Sequence, residues 1–251
     1  MNLPYHRMEE AIDSDEQRTI KVAQLRARDN LDEPPVISQV PDLGGFSIFE
    51  QVRKVQAYIE QFQYNYTGKP YIRMNKSRGV SHIHNVSKQL IKEGLPIQCV
   101  EAVFLGTTLT SGMDDLTRVP LSFKSKFIKG TVHRHIVLAL KVDGKWGAVG
   151  ISRRPSLMNK PIKYTSLAEL VQEYSQSYEA CYHKLLTCYI GLPLPHDKFI
   201  DHPIKWRAIK IRVYGKPASE TEDNINAFSA NMTRLYEHFA REGCLPGKPS
   251  K

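Results

Sequence analysis

The middle of the chain contains a hairpin that constrains the fold more than any other feature. His135-Ile-Val-Leu-Ala-Leu-Lys-Val142 is β-rich, Asp143-Gly144 follows, and an apolar run resumes from Trp146 through Ile151. An Asp-Gly pair between two such runs predicts a tight turn and two antiparallel neighbours in a sheet. Leu121, Phe123 and the residues to Ile128 read as an extended segment before it, and Trp206 to Val213 as another after it. Helical signals surround these strands. Ser47 and Glu50 form a capping box ahead of Ile48, Val52, Val55, Ile59 and Phe62 at helical spacing. A second helix is predicted from Val80 to Lys92, stopped by Gly94, and a third from Cys99 through Leu109 after the turn at Pro96. Ser166 with Glu169 predicts a helix reaching about Lys184. Ile225, Phe228, Met232, Leu235 and Phe239 mark another within 219–241. Near the N-terminus Asp13 to Arg28 looks helical, and Asp29 to Gly45 reads as a Pro-, Asp- and Gly-rich linker. Helices, then antiparallel strands, then helices around a strand is an α+β order. It divides into an N-terminal extension over 1–46 (expected to be partly flexible), a helical part over 47–95, an α+β part over 96–218 and a C-terminal helix and tail over 219–251.

The 251 residues suffice for a buried core, and 41% hydrophobic content excludes wholesale disorder. No stretch approaches the roughly 18 apolar residues of a membrane span, and Met1 to Ala11 lacks the apolar centre of a signal peptide. No membrane-spanning segment is therefore expected, and no membrane is among the expected partners. The net charge is +9, unevenly spread. Residues 1–50 carry five Lys/Arg against ten Asp/Glu, whereas residues 61–160 carry sixteen against five. A basic centre attracts polyanions, either nucleic acid, an anionic membrane or an acidic protein. Nucleic acid ranks low, since no aromatic–basic RNA-binding motif is present.

Cys99, Cys181, Cys188 and Cys244 form no C-x-x-C pair and no zinc or disulfide pattern, which fits a reducing cytosol and free thiols. Cys99 falls in the first turn of an apolar helix. There the unpaired N–H groups and the dipole favour a thiolate and can serve as an oxyanion hole. A lone cysteine at such a place is more often a small core residue. A base would come from the hairpin, where His133 and His135 share one face. Counting from the turn puts Ser152 near the level of His135 on the adjacent strand, positioned to orient an imidazole.

Four segments carry a family resemblance. Gln63-Tyr-Asn-Tyr-Thr-Gly68, Gly94-Leu-Pro-Ile-Gln-Cys-Val-Glu-Ala-Val103, Arg134-His-Ile-Val-Leu138 and Trp146-Gly-Ala-Val-Gly-Ile-Ser-Arg-Arg154 closely resemble the vasohibins. These are transglutaminase-like cysteine proteases that remove the C-terminal tyrosine of α-tubulin. The resemblance runs from about residue 47 to Lys163, more loosely to Val213, and leaves the first 46 residues unmatched. It implies a transglutaminase-like α+β core with Cys99, His135 and Ser152 as catalytic residues, selecting His135 over His133. It also implies Tyr64 beside the nucleophile and Arg153 on the substrate carboxylate. Lys76 and Arg78 of Asn75-Lys-Ser-Arg78, Lys124 of Ser122-Phe-Lys124, Arg134 and Arg154 are then candidates for binding a glutamate-rich tail. The resemblance further implies no metal and no cofactor, a cytoplasmic place on microtubules, and a small helical binding protein on the helical part that includes Ile48–Phe62. A non-catalytic microtubule-binding protein using the basic face is the alternative.

Overall fold

A computed structural model describes residues 37–246 apart from Lys129 and Asp201, together with Ile20, Ala23, Gln24 and Ala27. The chain divides into two compact units, Met1–Pro34 and Pro35–Lys251. The four described residues of the first are helical, and the rest of the expected Asp13–Arg28 helix lies outside the described residues.

The second unit contains helices α1 (Ile48–Gln61), α2 (Val80–Glu93) and α3 (Cys99–Leu109), strands β1 (Thr117–Phe127), β2 (Val132–Val142), β3 (Lys145–Val149) and β4 (Lys160–Tyr164), helix α4 (Leu167–Ala180), strands β5 (His183–Ile190) and β6 (Ile209–Arg212), and helix α5 (Ala218–Glu242). The strands form one antiparallel sheet in the order β4-β3-β2-β1-β5-β6. The fold is α+β. Asp143 and Gly144 both adopt positive φ, and Val142 pairs with Lys145 across the turn.

Alternation along β1 and β2 divides the core in two. Val119, Leu121, Phe123, Val137 and Ala139 face α4 and α5, where Leu170, Tyr174 and Phe228 pack. Ile136, Leu138, Leu140 and Val142 face the other way, onto Val55 and Ile59 of α1 and Phe104 of α3. Both faces of β2 are covered, which explains its unbroken apolar run. The apolar stripe of α1 is likewise taken up by the core: Val52, Val55, Ile59 and Phe62 are buried.

The predicted helix starts hold. The Ser47–Glu50 box is reciprocal, and Gly94 closes α2 at a φ of 61°. At α4 only half of the expected box forms. Ser166 Oγ accepts from the Glu169 N–H at 3.0 Å, but the Glu169 carboxylate turns to the Thr165 N–H and hydroxyl at 2.6 and 2.8 Å. This helix ends at Ala180 rather than near Lys184. Tyr182 breaks it at a φ of 61°, and the residues beyond pair with β1 as β5. The extended run predicted over 206–213 narrows to Ile209–Arg212, and β3 stops at Val149 rather than Ile151. β4 carries Pro161, which an edge strand tolerates. Buried Arg118 of β1 donates to the carbonyls of Thr107, Leu194 and Pro195. Its cation thus closes the C-terminal end of α3, where the helix dipole favours positive charge.

Candidate active site

Cys99 is the first residue of α3. The Glu101 carboxylate accepts from the Gln98 N–H at 2.6 Å and fixes that first turn. Just upstream, Ile97 is clamped beside Tyr64 in a parallel bridge. The Asn65 N–H donates to the Ile97 carbonyl at 2.8 Å, and the Ile97 N–H donates to the Gln63 carbonyl at 3.2 Å. This clamp holds the tyrosine next to the start of the cysteine helix. From the sheet, β2 brings His135, and the turn after β3 brings Ser152, Arg153 and Arg154. Tyr64, Cys99, Arg134, His135, Ser152, Arg153 and Arg154 all line one cavity of about 510 Å³.

Burial dominates the electrostatics. The helix start was expected to favour a thiolate at Cys99, but desolvation outweighs it and pushes the thiol up. The Ile136 N–H, the Lys76 ammonium and the N–H groups of Val100 and Cys99 itself act in the opposite direction. Burial pushes the His135 imidazole down to about 4, against a smaller opposing effect of the Leu157 carbonyl. His135 Nε2 lies 2.8 Å from that carbonyl oxygen. A carbonyl can only accept, so Nε2 carries the proton and Nδ1 is left with a lone pair. At neutral pH the pair is a thiol and a neutral imidazole whose free nitrogen can accept a proton.

The structure differs from the expectation at Ser152. Its hydroxyl accepts from the Arg154 N–H at 3.2 Å, while the imidazole is held by the Leu157 carbonyl. Ser152 therefore organises the turn that presents Arg153 and Arg154. The Arg153 guanidinium lies 5.9 Å from the Tyr64 ring centroid. Desolvation and then the nearby Cys99 push the Tyr64 phenol up, so it remains a donor. Arg78 and Lys124 lie outside the cavity lining, as does Lys76. Lys76 is nonetheless within electrostatic reach of Cys99. The Trp206 indole N–H donates to the Lys76 carbonyl at 2.8 Å, and the Lys76 ammonium sits 5.4 Å from the indole centroid. Trp206 in turn stacks on Phe104 of α3 at 5.8 Å.

Three features went unread in the sequence. The Leu157 carbonyl has no side-chain signature, although Pro155 could have marked its short helical turn. At Trp206 the sequence pattern indicates only a strand, and the residue lies ahead of β6. A second wall of the cavity holds Ser125, Phe127, His133, Tyr178 and His183. Within it Ser125 Oγ lies 3.1 Å from His183 Nδ1, and the His133 and His183 rings meet edge to face at 5.0 Å. The pairing of β1 with β5 creates this wall; the helix predicted to about Lys184 covers the first two residues of β5, and the rest of that strand has no sequence assignment.

Among the described residues no three His, Cys, Asp or Glu side chains converge as a metal site, and no helix is long and apolar enough to cross a membrane. The sequence matches the model of the Vasohibin family over residues 5–233, which brings the acidic N-terminal stretch within the match. A curated mouse (Mus musculus) protein, Tubulinyl-Tyr carboxypeptidase 1, is 41% identical over 189 residues, covering 74% of this chain and 50% of that protein. The chain spans about half the length of the curated relative it matches. With the cysteine helix, the histidine strand and the arginine turn meeting in one cavity, and a family match spanning most of the sequence, the chain belongs to the vasohibin family.

Proposed function

We propose that this chain is a cysteine carboxypeptidase that releases the C-terminal tyrosine of α-tubulin. The observation that carries the reading is the placement of Cys99 and His135 in one cavity, with the imidazole tautomer set by the Leu157 carbonyl. The name of the mouse relative supplies the substrate.

In this mechanism the Cys99 sulfur attacks the carbonyl carbon of the last peptide bond as its proton passes to His135 Nδ1. Moving the proton during attack suits a pair that rests neutral. The Tyr64 phenol and the N–H groups at the start of α3 donate to the developing oxyanion. Collapse breaks the C–N bond, and the imidazolium gives its proton to the leaving amine, releasing the free amino acid. Water then attacks the thioester, with His135 taking its proton and returning one to sulfur. The Leu157 carbonyl fills the orienting role that the sequence suggests for Ser152. Arg153 grips the terminal carboxylate through two parallel N–H bonds, so the enzyme removes a single residue. Arg134 and Arg154 pair with glutamates just upstream of the cut. Lys76, Arg78 and Lys124 extend the cationic path, acting mainly on encounter and weakening with salt. The enzyme works in the cytoplasm on microtubules, and any small helical binding protein uses the face of α1 that the core leaves free.

The test is release of tyrosine from microtubules and from a peptide ending Glu-Glu-Tyr. Cys99→Ala abolishes release from both, and Arg153→Ala lowers kcat/KM by about 100-fold or more through the lost charge-assisted pair. Undiminished release by Cys99→Ala refutes the mechanism. Microtubule binding by an unmutated protein that releases no tyrosine would favour the non-catalytic reading.

A further inference from the structure

Three places on the chain put one residue in the cavity wall and its direct neighbour outside as an exposed apolar side chain. Phe127, His133 and His183 line the cavity, while Ile128, Val132 and Tyr182 are 73%, 47% and 73% exposed. The β1–β2 connection and the α4–β5 turn that carry them form one surface, because the Ile128 N–H donates to the Tyr182 carbonyl at 3.2 Å. Beneath it the His183 ring meets those of Phe127 and His133 at 5.2 and 5.0 Å. The inner three residues build a wall, and the outer three crown its rim. Large apolar side chains grouped in solvent mark contact sites. Tyr182 adds a second sign, since it holds a φ of 61°, where glycine or asparagine costs less. The turn alone gives no reason for an aromatic residue there. Exposed Lys126, Arg134 and Lys184 flank the patch, and residues 117–142 contain no Asp or Glu.

We propose that Ile128, Val132 and Tyr182 form the docking surface for the folded body of the acidic protein whose C-terminus enters the cavity. The proposal rests on the carboxypeptidase reading and extends it from the tail to the whole substrate. A chain end seated on Cys99 carries the rest of its own protein out across this rim. A rim with an apolar centre and cationic edges complements an acidic surface around an apolar spot. The cavity then recognises the terminus, and the rim recognises what the terminus belongs to.

The test compares Ile128→Asp and Tyr182→Gly with the unmutated protein on two substrates, the Glu-Glu-Tyr peptide and assembled microtubules. Tyr182→Gly relieves the backbone, so its fold is not at risk. Each variant is expected to lose about tenfold or more in kcat/KM on microtubules while staying within about twofold on the peptide. Equal losses on both substrates, or none on either, overturn the proposal. So does a fall in sedimentation coefficient relative to the unmutated protein, which would make the patch a contact between copies. If the unmutated protein cleaves neither substrate, the carboxypeptidase reading fails by itself. Microtubule co-sedimentation then decides the docking surface: a tenfold loss of binding supports it and unchanged binding overturns it.

Discussion

A histidine kept neutral by the cavity around it makes stability depend on pH in a way that can be isolated. His135 stacks near Phe123 at 6.5 Å, and burial pushes it from 6.5 down to about 4. Between those two values the unfolded chain binds a proton that the native protein does not. Stability therefore falls as pH drops through the window and is unaffected by this group above it. A shift of that size corresponds to about 3 kcal/mol, and roughly 2 once water in the cavity mouth is allowed for, since the ring is only half-buried. His135→Gln removes the titration while keeping a side chain that can bond the Leu157 carbonyl. Urea unfolding of both proteins followed by circular dichroism from pH 7.5 to pH 4 gives the comparison. The unmutated protein should lose about 2 kcal/mol more than the variant over that range, because contributions common to both, such as those of His84 and His183, cancel. Parallel curves would refute the neutral imidazole. A difference of opposite sign would show that the native state holds the imidazolium, and with it a resting ion pair with the cysteine.

Three further outcomes follow from other contacts. In a background lacking Cys181 and Cys244, Lys76→Met should raise the pH midpoint of Cys99 alkylation by iodoacetamide, and Trp206→Phe should raise it less; an unmoved midpoint separates Lys76 from the thiol. Arg118→Met strands the carbonyls of Thr107, Leu194 and Pro195 in the interior and should cost roughly 2–3 kcal/mol by urea titration, with Arg118→Lys recovering part. A Cβ on Gly147 would stand 2.8 Å from the backbone of Ile162, so Gly147→Ala should destabilise by about 1–3 kcal/mol and speed hydrogen exchange in β4 ahead of β2.

What could be read in advance was what neighbouring residues decide. The Asp143-Gly144 turn, the Ser47–Glu50 box and the Gly94 stop act within a few residues, and each appears where its pattern lies. The start of the Cys99 helix is legible for the same reason, whereas a role for the thiol comes only from the family resemblance. What escaped depends on distant pairing. β5 follows α4 after only Cys181 and Tyr182, and its apolar residues continue the helical pattern until β1 pulls them into the sheet. The histidine's partner is a main-chain oxygen 22 residues away, which no side-chain motif can encode. The thiol moved the other way from expectation because desolvation depends on the whole enclosing cavity, whereas the helix terminus is local.

The early end of β3 has a consequence for chemistry. Val142 and Lys145 flank a two-residue turn, so they exchange hydrogen bonds, and every second residue back along β2 aims its N–H the same way. Leu140 and Leu138 find Gly147 and Val149 as partners, but at Ile136 the ladder has no rung left on that side. That open rung lies within reach of the nucleophile, and the Ile136 N–H draws the Cys99 thiol down against the stronger effect of burial. The N–H that acts on the nucleophile is thus one step along the backbone from the base, His135. Because β1 holds β2 through ten residue pairs, lengthening the turn by one residue would slip β3 instead and turn its side chains to the opposite face. A turn eight positions from His135 therefore decides where the ladder ends and which N–H is left open beside the active site.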